Sequence, residues 1–196
     1  MKPKQPTAEK VIDVALALLR NEGDRGVTMR RVAQEAGMSL SNVQYHFRTK
    51  DVLLRALADR YFQRCLEEIR AEELTIPGEE VRPILERALG HFLSHGLEVS
   101  EMCRIFREYW ALATRNEEIA SYLVNYYRDM AEILKDQLRP LARNDEALDE
   151  AVSLLIPLVE GYTITCPSLP CEIDRMTHLT TELLLSALTE EGATSA

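Results

Sequence analysis

An all-α chain of about nine helices is the fold class this sequence predicts, and three observations predict it. Apolar residues recur every three or four positions through nearly the whole chain, and no stretch shows the period of two that marks a half-buried strand. Turn signals at Gly23, Gly26, Gly37, Gly96, Asn116 and Pro140 separate these periodic runs at helical lengths. Eight Gly and eight Pro in 196 residues leave little room for linkers or low-complexity tracts. That length supports one good core, or a small module joined to a larger one.

The first helix is expected over about 7–21, where Val11, Ile12, Ala15, Leu18 and Leu19 form the apolar stripe and Gly23 with Gly26 end it. Thr28 caps a short helix to about Ala36 that buries Met29, Val32, Ala33 and Ala36. Gly37 breaks it, and Ser39 caps a shorter helix ending near Tyr45 or His46. A long helix over about 51–73 follows, its stripe running from Val52 and Leu54 through Tyr61, Phe62 and Cys65 to Ile69. The segment Thr75-Ile-Pro-Gly78 is the clearest interior boundary, and helices at about 80–96, 100–115, 117–139, 145–165 and 172–190 complete the chain.

Composition narrows the function classes. No run approaches the roughly 18 uninterrupted apolar residues of a membrane span, and the first seven residues carry no apolar signal core. Four cysteines are too few for a disulfide scaffold and fit reduced thiols in a cytoplasmic chain. Net charge is −9, but residues 1–60 hold 11 Lys and Arg against 7 Asp and Glu, while the other 136 hold 12 against 25. A basic head on an acidic body suits a phosphate-binding module joined to a part that avoids nucleic acid. Gly-x-Ser-x-Gly, Walker, dinucleotide and His-Glu-x-x-His patterns are all absent, which argues against an enzyme.

Residues 28–47 carry the chemistry. Two short helices around Gly37 make a helix-turn-helix whose second helix can lie in a major groove. Ser39, Ser41, Asn42, Gln44, Tyr45 and His46 crowd that second helix with hydrogen-bonding groups. This is costly in a core and sensible against base edges and phosphates. The order Thr28, Val32-Ala33, Glu35-Ala36-Gly37, Ser39, Tyr45-His46-Phe47 and Lys50-Asp51-Val52-Leu53 resembles the DNA-binding domain of the TetR/AcrR family of bacterial regulators. The likeness spans about 7–60, and the later helices match that family in number, length and order.

The resemblance implies a DNA-binding domain over 1–50, leading into a linking helix at 51–73, and a helical ligand-binding and dimerisation domain over 74–196. It implies that Arg30 reaches a base or phosphate, and that Leu40, Ser41, Asn42 and Gln44 face the groove. Thr28, Tyr45, His46 and Lys50 are then expected on the DNA backbone, with Ser39 a further DNA-binding residue. Gln44 stands where the family usually has an aromatic residue. Its amide can pair bidentately with adenine or make a solvated phosphate contact.

In the body, aromatic and sparse polar residues at stripe edges suit a mainly apolar pocket with a few convergent polar groups. Tyr61, Cys65, His91, Cys103, Phe106, Trp110, Tyr122, Tyr126 and Glu160 are the expected ligand residues. Trp110 and Cys103 share an edge of the stripe formed by Met102, Phe106, Tyr109 and Ala113. His91 and His95 lie one turn apart, but no third ligand completes a metal set, and no cofactor is expected. Cys166 and Cys171 flank a proline loop and read as ordinary thiols or a redox pair. The stretch 154–164 is apolar nearly all round, implying cover on two sides, with Pro157 expected to kink it. Glu160 interrupts it and faces either the pocket or a dimer seam. Leu155, Tyr162, Met176, Leu179, Leu183 and Leu184 are the expected seam residues of a four-helix bundle between two copies. The expected function is a homodimeric repressor released from a palindromic operator by a small molecule. A ligand-independent regulator and a helical protein-interaction module are the rivals.

Overall fold

The computed structural model describes residues 7–74, 78–97 and 101–189, without the side chains of Leu97, Glu101 and Met102. The interior boundary at 75–77, the Met102 position of its stripe and the first six residues therefore lie outside the described residues. Nine α-helices occupy the described residues: α1 Thr7–Glu22, α2 Met29–Glu35, α3 Leu40–His46, α4 Lys50–Ala71, α5 Val81–Leu97, α6 Glu101–Ala113, α7 Glu117–Leu138, α8 Asp145–Thr165 and α9 Ile173–Thr189. Short 3-10 turns sit at Asp24–Gly26, Arg139–Leu141 and Cys166–Ser168. No strand occurs among the described residues.

Local chemistry explains the boundaries. The Thr28 side chain accepts the Arg31 N–H and the Ser39 side chain accepts the Asn42 N–H, each filling an orphan donor of a first turn. Gly37 adopts φ 65, and Met38 N–H donates to the Ala33 carbonyl at 2.8 Å, which closes the turn after α2. Asn144 caps α8 in the same manner through the Ala147 N–H. Gly96 departs from expectation: α5 continues through it to Leu97. A Cβ there would stand 2.6 Å from Thr163 Cα, so this glycine serves close helix approach rather than a stop. Helix α8 also runs unbroken through Pro157.

The chain divides into two compact units, one of residues up to Cys65 with Arg104–Val124, the other of Leu66–Cys103 with residues from Asn125 onward. In the first unit, Val32, Ala33, Ala36 and Val43 bury the faces on which α2 and α3 meet. Phe62 centres an aromatic cluster, with the rings of Phe106, Tyr109 and Tyr122 at 4.9, 5.2 and 5.7 Å. Tyr109 and Tyr122 donate their hydroxyls to the α4 carbonyls of Leu54 (2.8 Å) and Ala58 (3.2 Å), one turn apart. Both phenols thus bury an apolar ring while satisfying the polar tip.

In the second unit α5, α8 and α9 pack together. Leu93, Tyr162 and Cys166 are buried at one centre, with Val159, Ile173 and Met176 against them. The Thr180 and Thr181 hydroxyls are satisfied by the carbonyls of Met176 (2.8 Å) and Thr177 (3.0 Å). Gln137 from α7 donates to the carbonyls of Ile69 (2.9 Å) and Glu72 (2.6 Å), capping the otherwise open end of α4. Asp145–Ser168 is the one segment among the described residues whose length and hydropathy would suit a membrane span. Ala147, Leu148, Ala151, Val152, Leu155 and Tyr162 instead bury within the unit, as a core helix does.

Candidate nucleic-acid interface

Helix α3 is two turns long and sinks a single side chain, Val43, fully into the core, while Phe47 anchors its end. Ser41, Asn42, Gln44 and Tyr45 are exposed and Leu40 is partly so. Tyr45 is 83% exposed, with the half-buried His46 ring edge-on to it at 5.2 Å. A bulky aromatic left this far in water is unusual for a folded chain and suits a residue awaiting a partner. Arg30 is exposed on α2, whereas the neighbouring Arg31 is tied to the Glu22 carboxylate by a two-point ion pair.

The two capping residues are part of this surface. Thr28 and Ser39 are exposed, and each uses its oxygen as an acceptor for the first turn behind it. Ser39 also lies 3.0 Å from the Ser41 hydroxyl. A capped hydroxyl keeps its own proton to donate outward. The structure thus gathers all ten residues expected at DNA around one helix-turn-helix and the start of α4.

Lys50 is the residue whose surroundings differ most from a simple outward lysine. Its Nζ lies 2.6 Å from Asp24 Oδ1 and donates to the Asp24 carbonyl at 2.7 Å. Asp24, Glu108 and Arg115 are partners that sequence reasoning missed. Their positions are separated by up to 91 residues, so no spacing pattern reveals them.

The residues expected to hold a ligand fall into separate groupings. Tyr61, Phe106 and Tyr122 belong to the Phe62 cluster of the first unit, with Tyr61 and Phe106 rings 6.2 Å apart. Cys65 is buried on α4, and Trp110 stands 48% exposed on α6. In the second unit Glu160 of α8 is partly buried and accepts the Tyr127 hydroxyl at 3.0 Å. Burial pushes its carboxyl above the ordinary range, and the Tyr127 hydrogen bond opposes that rise. No basic side chain pairs with it among the described ion pairs. Tyr126 is buried with its ring 5.1 Å from that of Tyr127. His91 is exposed, 4.9 Å ring to ring from His95, and Cys103 donates to the His95 carbonyl. No metal-holding group of three His, Cys, Asp or Glu exists among the described residues, and all four cysteines are free thiols.

The expected seam residues also divide. Leu155, Tyr162 and Leu184 are buried in the single chain, and Met176 packs on the Leu93 centre with Tyr162. Leu179 and Leu183 are exposed, and Leu154, one position from the expected Leu155, is exposed with them. An apolar groove runs along this face, lined by Ala151, Leu154, Leu155, Leu158, Thr180, Leu183, Leu184 and Ala187, so the expected Leu155 and Leu184 form its inner wall.

A helical body carrying an N-terminal helix-turn-helix with an exposed polar second helix defines a DNA-binding transcriptional regulator. Residues 11–57 match the family of bacterial regulatory proteins of the tetR type. The HTH-type transcriptional regulator in the dhlA 5′ region of Xanthobacter autotrophicus is 52% identical over 180 residues, covering 92% of this chain and 89% of that relative. The nicotine-responsive transcriptional repressor HdnoR of Paenarthrobacter nicotinovorans is 25% identical over 163 residues, with 80% and 81% covered. A transcriptional regulator from Saccharomonospora viridis, solved in complex with choline, shares the fold at a TM-score of 0.70 and 20% identity over 92% of this chain and 96% of that one. The chain belongs to the TetR family of bacterial transcriptional regulators, and its relatives are regulators rather than enzymes.

Proposed function

We propose that this regulator is a homodimeric repressor that acts in the cytoplasm and is released from a palindromic operator by a small, mainly apolar effector. The observation that carries the reading is α3, which presents Leu40, Ser41, Asn42, Gln44 and Tyr45 outward while burying one valine. Residues 1–50 are the DNA-binding part and the remainder serves the ligand and the dimer. Thr28, Ser39, Tyr45, His46 and Lys50 take phosphates and Arg30 takes a phosphate or base, while Leu40, Ser41, Asn42 and Gln44 read the groove.

The second copy sits on the groove along α8 and α9, where Leu154, Leu158, Leu179 and Leu183 face water in a single chain. Covering that face removes a contiguous apolar surface that a lone subunit would expose. A dimer sets two α3 helices one helical repeat apart, roughly 34–36 Å, which matches successive major grooves.

Glu160 and Tyr127 anchor the effector in the second unit, near Tyr126. A carboxylate shielded from water, with a neutral phenol as its described partner, favours a cationic or hydrogen-bond-donating molecule. The nicotine-responsive relative and the choline-bound neighbour support that class, since both molecules carry a basic or quaternary nitrogen. Binding shifts α4 and spoils the spacing of the reading helices, so release follows from differential affinity for two states.

The test is a footprint on the DNA flanking this protein's own gene, repeated with a panel of apolar amines and matched neutral analogues. A protected palindrome lost on adding an amine supports the reading. Protection unchanged by every panel member supports a ligand-independent regulator, and no protected site on that flanking DNA overturns the reading.

A further inference from the structure

We infer that Asp24 is a positioning residue for the phosphate contact of Lys50, and that Arg115 sets how much of its charge falls on that lysine. The inference rests on the reading of Lys50 as a DNA-backbone contact. The site lies wholly in the first unit and starts from a backbone feature. Gly23 adopts φ 70, and a Cβ there would stand 2.8 Å from Glu108 Oε1. Glycine therefore admits the Glu108 carboxylate against the main chain, where it accepts the Asp24 N–H at 2.8 Å. Asp24 is thus held in place by α6 before its own side chain does anything.

That side chain faces two cations. Lys50 Nζ lies 2.6 Å from Oδ1, and Arg115 Nη2 lies 3.3 Å from Oδ2. Lys50 also donates to the Asp24 carbonyl at 2.7 Å. An ammonium has three N–H donors. One is given to the Asp24 carbonyl while the ammonium stands in ion-pair contact with Oδ1, which leaves donor capacity for a phosphate oxygen. Asp24 is largely buried and Arg115 is more than half exposed. A second tie joins the same regions, because Asn116 donates to Asp51 at 3.4 Å beside Lys50.

The charges decide the consequence. Lys50 and Arg115 are balanced by Asp24 and Glu108. Without Arg115 the cluster carries one net negative charge next to an approaching phosphate, and Lys50 is neutralised by Asp24 alone. Arg115 therefore strengthens DNA binding without touching DNA, and does so chiefly by competing with Lys50 for Asp24.

A double-mutant cycle on the full-length protein tests this, read by anisotropy on a mixed-sequence duplex across a salt series. Lys50→Ala lowers affinity and reduces the salt slope by about one, the signature of one lost phosphate contact. Arg115→Gln weakens binding about threefold to tenfold, as expected of a partly exposed charge interaction. Arg115→Lys keeps the charge and keeps the affinity. In the Asp24→Asn background Arg115→Gln costs clearly less, because only its direct, screened attraction to the phosphates is then lost. A merely structural arginine, or one that met DNA itself, would cost the same in both backgrounds, and that result overturns the inference. If Lys50→Ala changes neither affinity nor slope, the phosphate-contact reading fails instead.

Discussion

Helix α3 and the α8–α9 face are both helical, and both leave side chains in water, but they leave different chemistry there. Helix α3 exposes Ser41, Asn42, Gln44 and Tyr45 around one buried valine, with its first turn capped by Ser39. The α8–α9 face exposes Leu154, Leu179 and Leu183 beside a groove floored by alanines and a threonine. Hydrogen-bonding groups on a short helix remain soluble alone and gain specificity against bases and phosphates. Leucines gain only by leaving water, so they call for a partner surface that is itself apolar. One scaffold thus leaves two kinds of surface in water, distinguished by what the helix declines to bury.

The sharpest way to break that comparison is a charge placed on either side of the α9 surface. Leu184 is 4% exposed and Leu183 is 44% exposed in the single chain. Leu184→Asp buries an unpaired carboxylate in the subunit core and unfolds the protein, a cost of about 3–5 kcal/mol. Leu183→Asp leaves a folded subunit that sediments as a monomer and binds a palindrome weakly. Circular dichroism melts and sedimentation velocity separate the two outcomes. A folded dimer from Leu183→Asp would falsify the α8–α9 seam.

A smaller effect sharpens the α3 side. Gln44→Ala relaxes preference at one base pair per half-site, costing about 1–3 kcal/mol where the amide pairs bidentately with adenine. A randomised-site selection reads this directly. An unchanged preference means that Gln44 contacts only backbone or water.

The turn that aims α3 is probed by Gly37→Ala. The φ of 65 is strained for a side chain, but a Cβ there meets nothing within 4 Å. The cost is therefore conformational alone, about 1–2 kcal/mol in a urea titration, and Gly37→Asn costs less. A cost well above that range would mean that α3 shifts as well.

The smallest effect falls in the second unit. Burial raises the Glu160 carboxyl, so the folded state holds its proton more tightly than the unfolded chain does. The contribution of Glu160 to folding stability is then greatest below the unfolded pKa of about 4.3 and is lost as pH rises through the raised folded value. Glu160→Gln accordingly raises the melting temperature modestly at pH 8, and the gain disappears near pH 4. A variant no more stable than the parent at pH 8 would show that Glu160 gains a cationic partner in solution.

Much of the head was legible because its signals are local. Thr28, Ser39 and Gly37 act through their own and adjacent turns, so residue type and spacing suffice to place α2 and α3. The partners of Lys50 were not legible. Asp24 precedes it by 26 positions, and Glu108, which holds the Asp24 main chain rather than Lys50 itself, lies 84 beyond Asp24; only folding brings them together. Trp110 shows the limit of a helical wheel. It sits at a stripe edge, and the wheel does not say whether an edge is closed by a neighbour or left half exposed, as here. Nor does a wheel separate Leu155 from Leu154, neighbours that both line the α8–α9 groove, one buried and one exposed. A helix apolar nearly all round gives no contrast to distinguish the face toward its own core from the face toward another chain.

By itself the sequence determined the helices, their order and the chemistry of α3, because periodicity, caps and turn residues act over distances of a few residues. The tertiary structure alone decided which apolar faces are satisfied within the subunit and which are left over. It also decided that Gly96 serves contact rather than termination, and that Lys50 is held against Asp24. The physical reason is that burial and charge pairing depend on residues distant in the chain, and no local pattern encodes which of them arrive.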